Sequence, residues 1–96
     1  MPAYVIVETD VHDPVQYERY KAGSPGAVAA GGGRFLARGG ALDVLEGDWD
    51  PPRLVLLEFP DLEAARRWYD SQAYQDVKRL REGAAHLRMV AVQGLD

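Results

Sequence analysis

Ninety-six residues with a net charge of −4 make one small acidic domain, residues 1–96, without the basic footprint of a nucleic-acid binder. The chain has no cysteine, which excludes disulfide staples, thiolate metal sites and cysteine nucleophiles. No stretch approaches the roughly 20 apolar residues of a membrane span, and "MPAYVIVETD" lacks the regions of a signal peptide, so the expectation is a cytoplasmic protein with neither nucleic acid nor membrane as partner.

The first predicted element is a strand over residues 3–10, "AYVIVETD", rich in β-branched side chains. Asp13 before Pro14 is an N-cap followed by a first-turn proline. A helix starts there, with Tyr17 and Tyr20 three apart on one face. The "GSPG" of residues 23–26 is expected to interrupt it before it resumes through "AVAA" and stops at Gly31–Gly33. "RFLAR", residues 34–38, reads as the second strand, and "GGALDVLEG" as its continuation past a kink at Gly39 and Gly40. The single "RGG" marks a bend or bulge, not a repeated RNA-binding tract. Pro51 and Pro52 put "DWDPP" in a loop. The third strand is "RLVLLEF", residues 53–59. Pro60 ends it, Asp61 caps the next helix and Glu63 lies in the first turn. Leu62, Ala65, Trp68 and Tyr69 form the inward stripe of that helix. Ser71 recaps a further segment, "QAYQDVKRLRE", that stops at Gly83, and "HLRMVAV" is the last strand.

The order β-α-β-β-α-β is the ferredoxin-like split βαβ pattern, an α+β fold with one four-stranded antiparallel sheet and both helices on one face. Side chains alternate across a strand, so each strand offers two phases. One is apolar throughout and should face the helices: Val5 and Val7; Phe35 and Ala37; Val55, Leu57 and Phe59; Leu87, Met89 and Ala91. The other carries Tyr4, Ile6, Leu36, Leu54, Leu56, Val90 and Val92 together with Glu8, Arg38, Glu58, His86 and Arg88. That face covers roughly 300 Å², near the upper limit of an apolar patch on a monomer. A second copy laid over it would bury the patch from both sides. Glu8, Glu58, Arg38 and Arg88 would then be enclosed charges that must pair or stay hydrated; which acid meets which base is open at this point.

Catalytic signatures are few. Ser24 in "GSPG" is not the G-x-S-x-G elbow of hydrolases. His12, flanked by Asp10 and Asp13, has no second histidine at helical ligand spacing, only the distant His86. "GGGR" follows a helix instead of opening one, as a phosphate cradle would. Neither metal nor cofactor is expected. Trp68, Tyr69 and Tyr74 read as ordinary core packing or as the wall of a pocket for a small apolar or aromatic molecule. In the second case tyrosine hydroxyls and Arg38 would orient a carboxylate or phenolate, and Glu58 would be placed to act as a general base.

The stretches "MPAYVIVETDVHDP", "GGRFLARGG", "LEGDWDPPRLVLLEFP", "ARRWYDSQAYQ" and "LRMVAVQG" resemble, in order and spacing, domain-of-unknown-function family 1330 of the dimeric α/β-barrel superfamily. The resemblance implies a ferredoxin-like subunit and a homodimer whose sheets pack face to face. Its characteristic positions fall on Arg38, Gly39, Glu46, Glu58, Trp68, Tyr69, Ser71 and Tyr74. The glycine-rich run "GSPGAVAAGGG" departs from the pattern. The superfamily includes cofactor-free monooxygenases, muconolactone isomerase-like enzymes, haem-degrading members and ligand-binding modules, and fold kinship transfers no reaction. The expectation is a homodimer binding a small molecule between sheet and helices or at the dimer interface, with Arg38, Glu58, Trp68, Tyr69 and Tyr74 as candidate ligand contacts. A cofactor-independent isomerase or monooxygenase, and a structural module without catalysis, are the alternatives.

Overall fold

A computed structural model describes residues 1–95. Its elements are β1 (Ala3–Val11), α1 (Pro14–Ala30), β2 (Arg34–Arg38), β3 (Leu54–Phe59), α2 (Leu62–Asp70), α3 (Gln72–Arg79) and β4 (Ala85–Gln93). The strands lie in the order β2-β3-β1-β4, every neighbouring pair antiparallel. This is the ferredoxin-like arrangement. Each helical crossover carries the chain past one intervening strand. Ser71 divides the second crossover: its hydroxyl donates to the Trp68 carbonyl at 2.7 Å, closing α2, and accepts from the Tyr74 N–H at 3.1 Å, opening α3.

The helix α1 starts as its cap residues dictate, with Asp13 Oδ1 accepting from the Gln16 N–H at 3.1 Å and Pro14 in the first turn. It stops at the glycines, where Gly32 and Gly33 donate to the carbonyls of Ala29 and Val28. Gly32 there takes a φ of +83°, open to glycine without steric penalty. The expected interruption at "GSPG" is absent: α1 runs unbroken from Pro14 to Ala30 with Pro25 inside it. Pro25 has no N–H to offer the Lys21 carbonyl one turn earlier, but Arg38 Nη2 donates to that carbonyl at 2.7 Å. Tyr17, Tyr20, Ser24, Ala27 and Val28 are buried along one face, so tertiary packing spans the defect.

The strand β2 also differs from its reading. Arg34 lies opposite Glu58 and Phe35 opposite Leu57, but Ala37 then meets Leu56 and Arg38 meets Val55. Leu36 is the extra residue of a bulge, and a bulge reverses the phase of everything after it. Ala37 therefore belongs to the open face and Arg38 to the helix side, the reverse of simple alternation. Nor does "GGALDVLEG" continue the strand: residues 40–53 form neither helix nor strand. Extending the pairing of Arg38 with Val55 would set Ala41 and Leu42 against Pro52 and Pro51, which carry no N–H for a ladder. The inward side of α2 is Ala64, Ala65 and Trp68, while Leu62 is exposed.

The core lies between the sheet and the helices. Val5, Val7, Val55, Leu57 and Phe59 supply the sheet side, as alternation predicts. On the opposite face Tyr4, Ile6, Leu54 and Leu56 are half-buried and Val90 is 60 % exposed. Among the described residues no helix is long and apolar enough to cross a membrane.

Candidate functional site

The open face answers the pairing question. Glu58 Oε1 accepts from Arg34, with Nη2 at 2.6 Å and Nε at 2.7 Å. Glu8 lies directly across the ladder from Arg88, whose Nε donates to it at 2.7 Å and whose Nη2 makes a second contact. Asp10, at the exposed end of this face, lies across the ladder from His86, while Glu8 and Glu58 are thus matched by arginines within the same sheet. Arg38 is not among them. The bulge at Leu36 carries it to the other side, so Arg38 and Glu58, nominated together, lie on opposite faces of the chain, and Arg34 is the base that Glu58 holds.

On the helix side Arg38 reaches a small cavity of about 20 Å³, room for one water molecule or one ligand oxygen. Its polar lining comes from four elements: Thr9 of β1; Tyr17, Tyr20, Lys21 and Ser24 of α1; Arg38 of β2; and Arg53 just ahead of β3. The lining contains three cations and four hydroxyls, and no carboxylate. Arg38 is fixed by its bond to the Lys21 carbonyl and by stacking 4.7 Å from the Phe35 ring centroid. Arg53 lies 5.9 Å from the Tyr17 ring centroid, with Nη1 3.5 Å from its hydroxyl. Gly39 makes room for it. With φ at +70°, a Cβ there would stand 2.7 Å from Arg53 Nε. Thr9 is fully buried, and its Oγ1 has no hydrogen-bond partner among the described residues.

The aromatic trio divides. Trp68 packs against Phe59 and Tyr74 with centroids 5.1 and 4.4 Å away, seated against Gly31, where a Cβ would come within 2.8 Å of the Trp68 Cβ. Its Nε1 is buried without a partner among the described residues. Tyr74 is fully buried and exchanges a 2.8 Å hydrogen bond with the Tyr20 hydroxyl. Burial, and then the neighbouring Tyr74, raise the Tyr20 phenol above its ordinary pKa. Tyr74 is thus a packing residue behind the site and lines neither cavity nor groove. Tyr69 is half-buried, its hydroxyl accepting from Lys78 Nζ at 2.8 Å.

Trp68 and Tyr69 do share a second space, an open groove of about 1060 Å³ between α2 and β4. It exists because β4 is an edge strand that the helices cover incompletely: Leu87 and Met89 are half-buried, and Ala91, of the same phase, is exposed. Asp61, Glu63, Arg66 and Arg81 bring charge to it. Trp68, Leu87 and Met89 line both groove and cavity, so one apolar wall separates them.

The other sequence candidates fall elsewhere. Ser24 is a buried hydroxyl of a cavity whose lining holds no histidine. His12 and His86 meet edge to face with centroids 6.5 Å apart, and among the described residues no three His, Cys, Asp or Glu gather as a metal site. Glu46 lies on the exposed connection between β2 and β3. Sequence reasoning missed Thr9 and Arg53. The available signal was phase: Thr9 continues Val5 and Val7, and Arg53 precedes Val55 and Leu57, both at steps of two.

A family model described as "Domain of unknown function (DUF1330)" matches residues 2–95. No curated protein matches the chain. Among solved structures, a protein of unknown function from Rhodopseudomonas palustris is 18% identical with a TM-score of 0.73, covering 99% of this chain and 83% of its own. A dimeric ferredoxin-like protein of unknown function from Thermobifida fusca is 16% identical with a TM-score of 0.66, covering 98% and 92%. SnoaB, a cofactor-independent oxygenase from Streptomyces nogalater, is 13% identical with a TM-score of 0.65, covering 99% and 94%. At these identities the likeness is one of fold.

Proposed function

Because the chain belongs to the domain-of-unknown-function family 1330, which supplies a fold and no reaction, we propose from its own geometry that it is a cytoplasmic homodimer binding a small apolar or aromatic molecule on the helix side of its sheet. The observation that carries this reading is the wall of Trp68, Leu87 and Met89, which borders both the open groove and the hydroxyl-lined cavity. Pockets for small molecules combine such apolar surface with a few convergent polar groups. Arg38, Trp68 and Tyr69 are the contacts on this reading. Tyr74 supports Trp68 from behind. Glu58, bonded to Arg34 on the far face, contributes to the proposed dimer surface instead.

Catalysis is the second reading, favoured by the oxygenase named among the structural neighbours and by buried donors that a reacting oxygen would meet. A general base formed by Glu58 beside Arg38 is not supported within one chain, so binding stands first. The test uses Trp68 as reporter. In a Trp49→Phe background, with the exposed second tryptophan removed, aromatic acids, quinols and lactones are titrated while Trp68 emission and oxygen uptake are followed. Saturable change in emission supports binding, and oxygen uptake or product formation supports turnover. No response to any class defeats the ligand reading.

A further inference from the structure

We propose that the cavity beneath Arg38 and Arg53 is a carboxylate subsite, so that the ligand is an aromatic or alicyclic monocarboxylate. This rests on the binding reading above and names its head group. The charge balance is the starting point. The chain carries four more acidic than basic charges, yet Arg38 and Arg53 take no part in the ion pairs of the described residues, whereas Arg34 and Arg88 do. Both instead line a cavity with Lys21 and no acidic residue. Lys21 is engaged by Glu18 at 3.4 Å, which leaves the two guanidinium groups as the unmatched charges.

Both are held in place by contacts that spare part of their donor capacity. Arg38 has one terminal nitrogen on the Lys21 carbonyl, and a guanidinium carries five N–H donors. Arg53 is braced by the Tyr17 ring and by the Gly39 backbone, and its carbonyl takes the Thr9 N–H at 2.9 Å. Exposure then grades from rim to floor: Arg38 is exposed and Arg53 half-buried, while Tyr17, Tyr20, Ser24 and Thr9 are buried. Thr9 is the independent sign of a guest, since a fully buried hydroxyl without a partner is costly to keep. Trp68, with its own unpartnered Nε1, lines the same space.

Size and shape select the anion. A cavity of about 20 Å³ takes one oxygen, which suits a flat two-oxygen carboxylate with the second oxygen at the arginine rim, the geometry a guanidinium fork recognises. A phosphate monoester would bring three terminal oxygens into room for one. The wall of Trp68, Leu87 and Met89 closes the cavity on its groove side, so the apolar body of the ligand leaves past the arginine rim, beside Phe35, which stacks with Arg38.

The test compares benzoate with its neutral isostere benzamide by calorimetry at fixed ionic strength, alongside amide and arginine Hε shifts of the labelled wild-type protein. Benzoate is expected to bind at least about tenfold more tightly than benzamide, with Arg38→Gln and Arg53→Gln each removing about that factor for benzoate and sparing benzamide. Shifts should centre on Thr9, Arg38 and Arg53, a readout that stands even if a variant folds poorly. Equal affinity for benzoate and benzamide overturns the carboxylate subsite and leaves the binding reading intact. Benzoate preference that survives both substitutions, or shifts confined elsewhere, overturns its location. Binding of neither compound, nor of any member of the wider panel, defeats both readings together.

Discussion

The hydroxyl pair of Tyr20 and Tyr74, 2.8 Å apart in the core, shows how much a single buried group depends on its partner. Tyr74→Phe strands the Tyr20 hydroxyl away from water and is expected to lower stability by about 1–3 kcal/mol. The double change to phenylalanine removes donor and acceptor together and should recover most of that loss. A urea double-mutant cycle measures the coupling; single variants within about 0.5 kcal/mol of wild type would deny it. The pair also sets an alkaline limit. The folded Tyr20 phenol keeps its proton above the ordinary range, while unfolded tyrosines release theirs near about pH 10. Its stabilising share is therefore complete below that pH and is lost as pH rises further, so Tyr20→Phe should flatten the alkaline fall in stability. At this scale Trp68 and Tyr69 both line the groove, but which hydroxyls meet was not legible in the sequence, because Tyr20 and Tyr74 are 54 positions apart.

Elements were legible wherever their signals are local. The caps at Asp13, Asp61 and Ser71, the glycine stop of α1 and the phases of β1, β3 and β4 follow from neighbours within a few residues. What escaped depends on distant chain. Pro25 reads as a helix break until Arg38, 13 positions beyond it in the sequence, takes over the Lys21 carbonyl. Arg38 can do so because the Leu36 bulge turns it toward α1, and nothing in the alternation of "RFLAR" announces that extra residue. If the arginine compensates for the proline, the two positions are energetically coupled. Pro25→Ala restores the N–H donor and should stabilise the protein by about 1–2 kcal/mol. Arg38→Ala should then cost less in the Pro25→Ala background than in the wild type. Additive effects in denaturant unfolding would mean that the bond to Lys21 contributes nothing to the helix.

The whole molecule is a slab, 35 × 33 × 16 Å in its principal extents, with helices on one side of the sheet and no described element on the other. Tyr4, Ile6, Leu54 and Leu56 are only half-buried there, Val90 and Val92 are 60 % and 48 % exposed, and Glu8 and Glu58 among them are already matched by arginines of their own sheet. That internal matching bears directly on self-association. Enclosing an unpaired carboxylate would oppose a dimer, whereas enclosing Glu8 with Arg88 and Glu58 with Arg34 adds little beyond the desolvation of pairs already formed. A two-fold partner meeting this face would bury the same apolar side chains from both subunits, as the proposed homodimer requires. Light scattering should then give twice the chain mass at micromolar concentration, and the melting temperature of the wild type should rise with protein concentration, as mass action demands of a folded dimer. Leu56→Glu places an unmatched charge at the centre of the face and should yield a monomer with unchanged far-ultraviolet circular dichroism. Arg34→Gln leaves Glu58 without its partner and should weaken the dimer, seen as a lower mass at the same concentration. A wild type that stays monomeric through the millimolar range would leave the open face to solvent and remove the dimer. It would leave the cavity of Thr9, Arg38 and Arg53 untouched, because every residue of that lining comes from one chain.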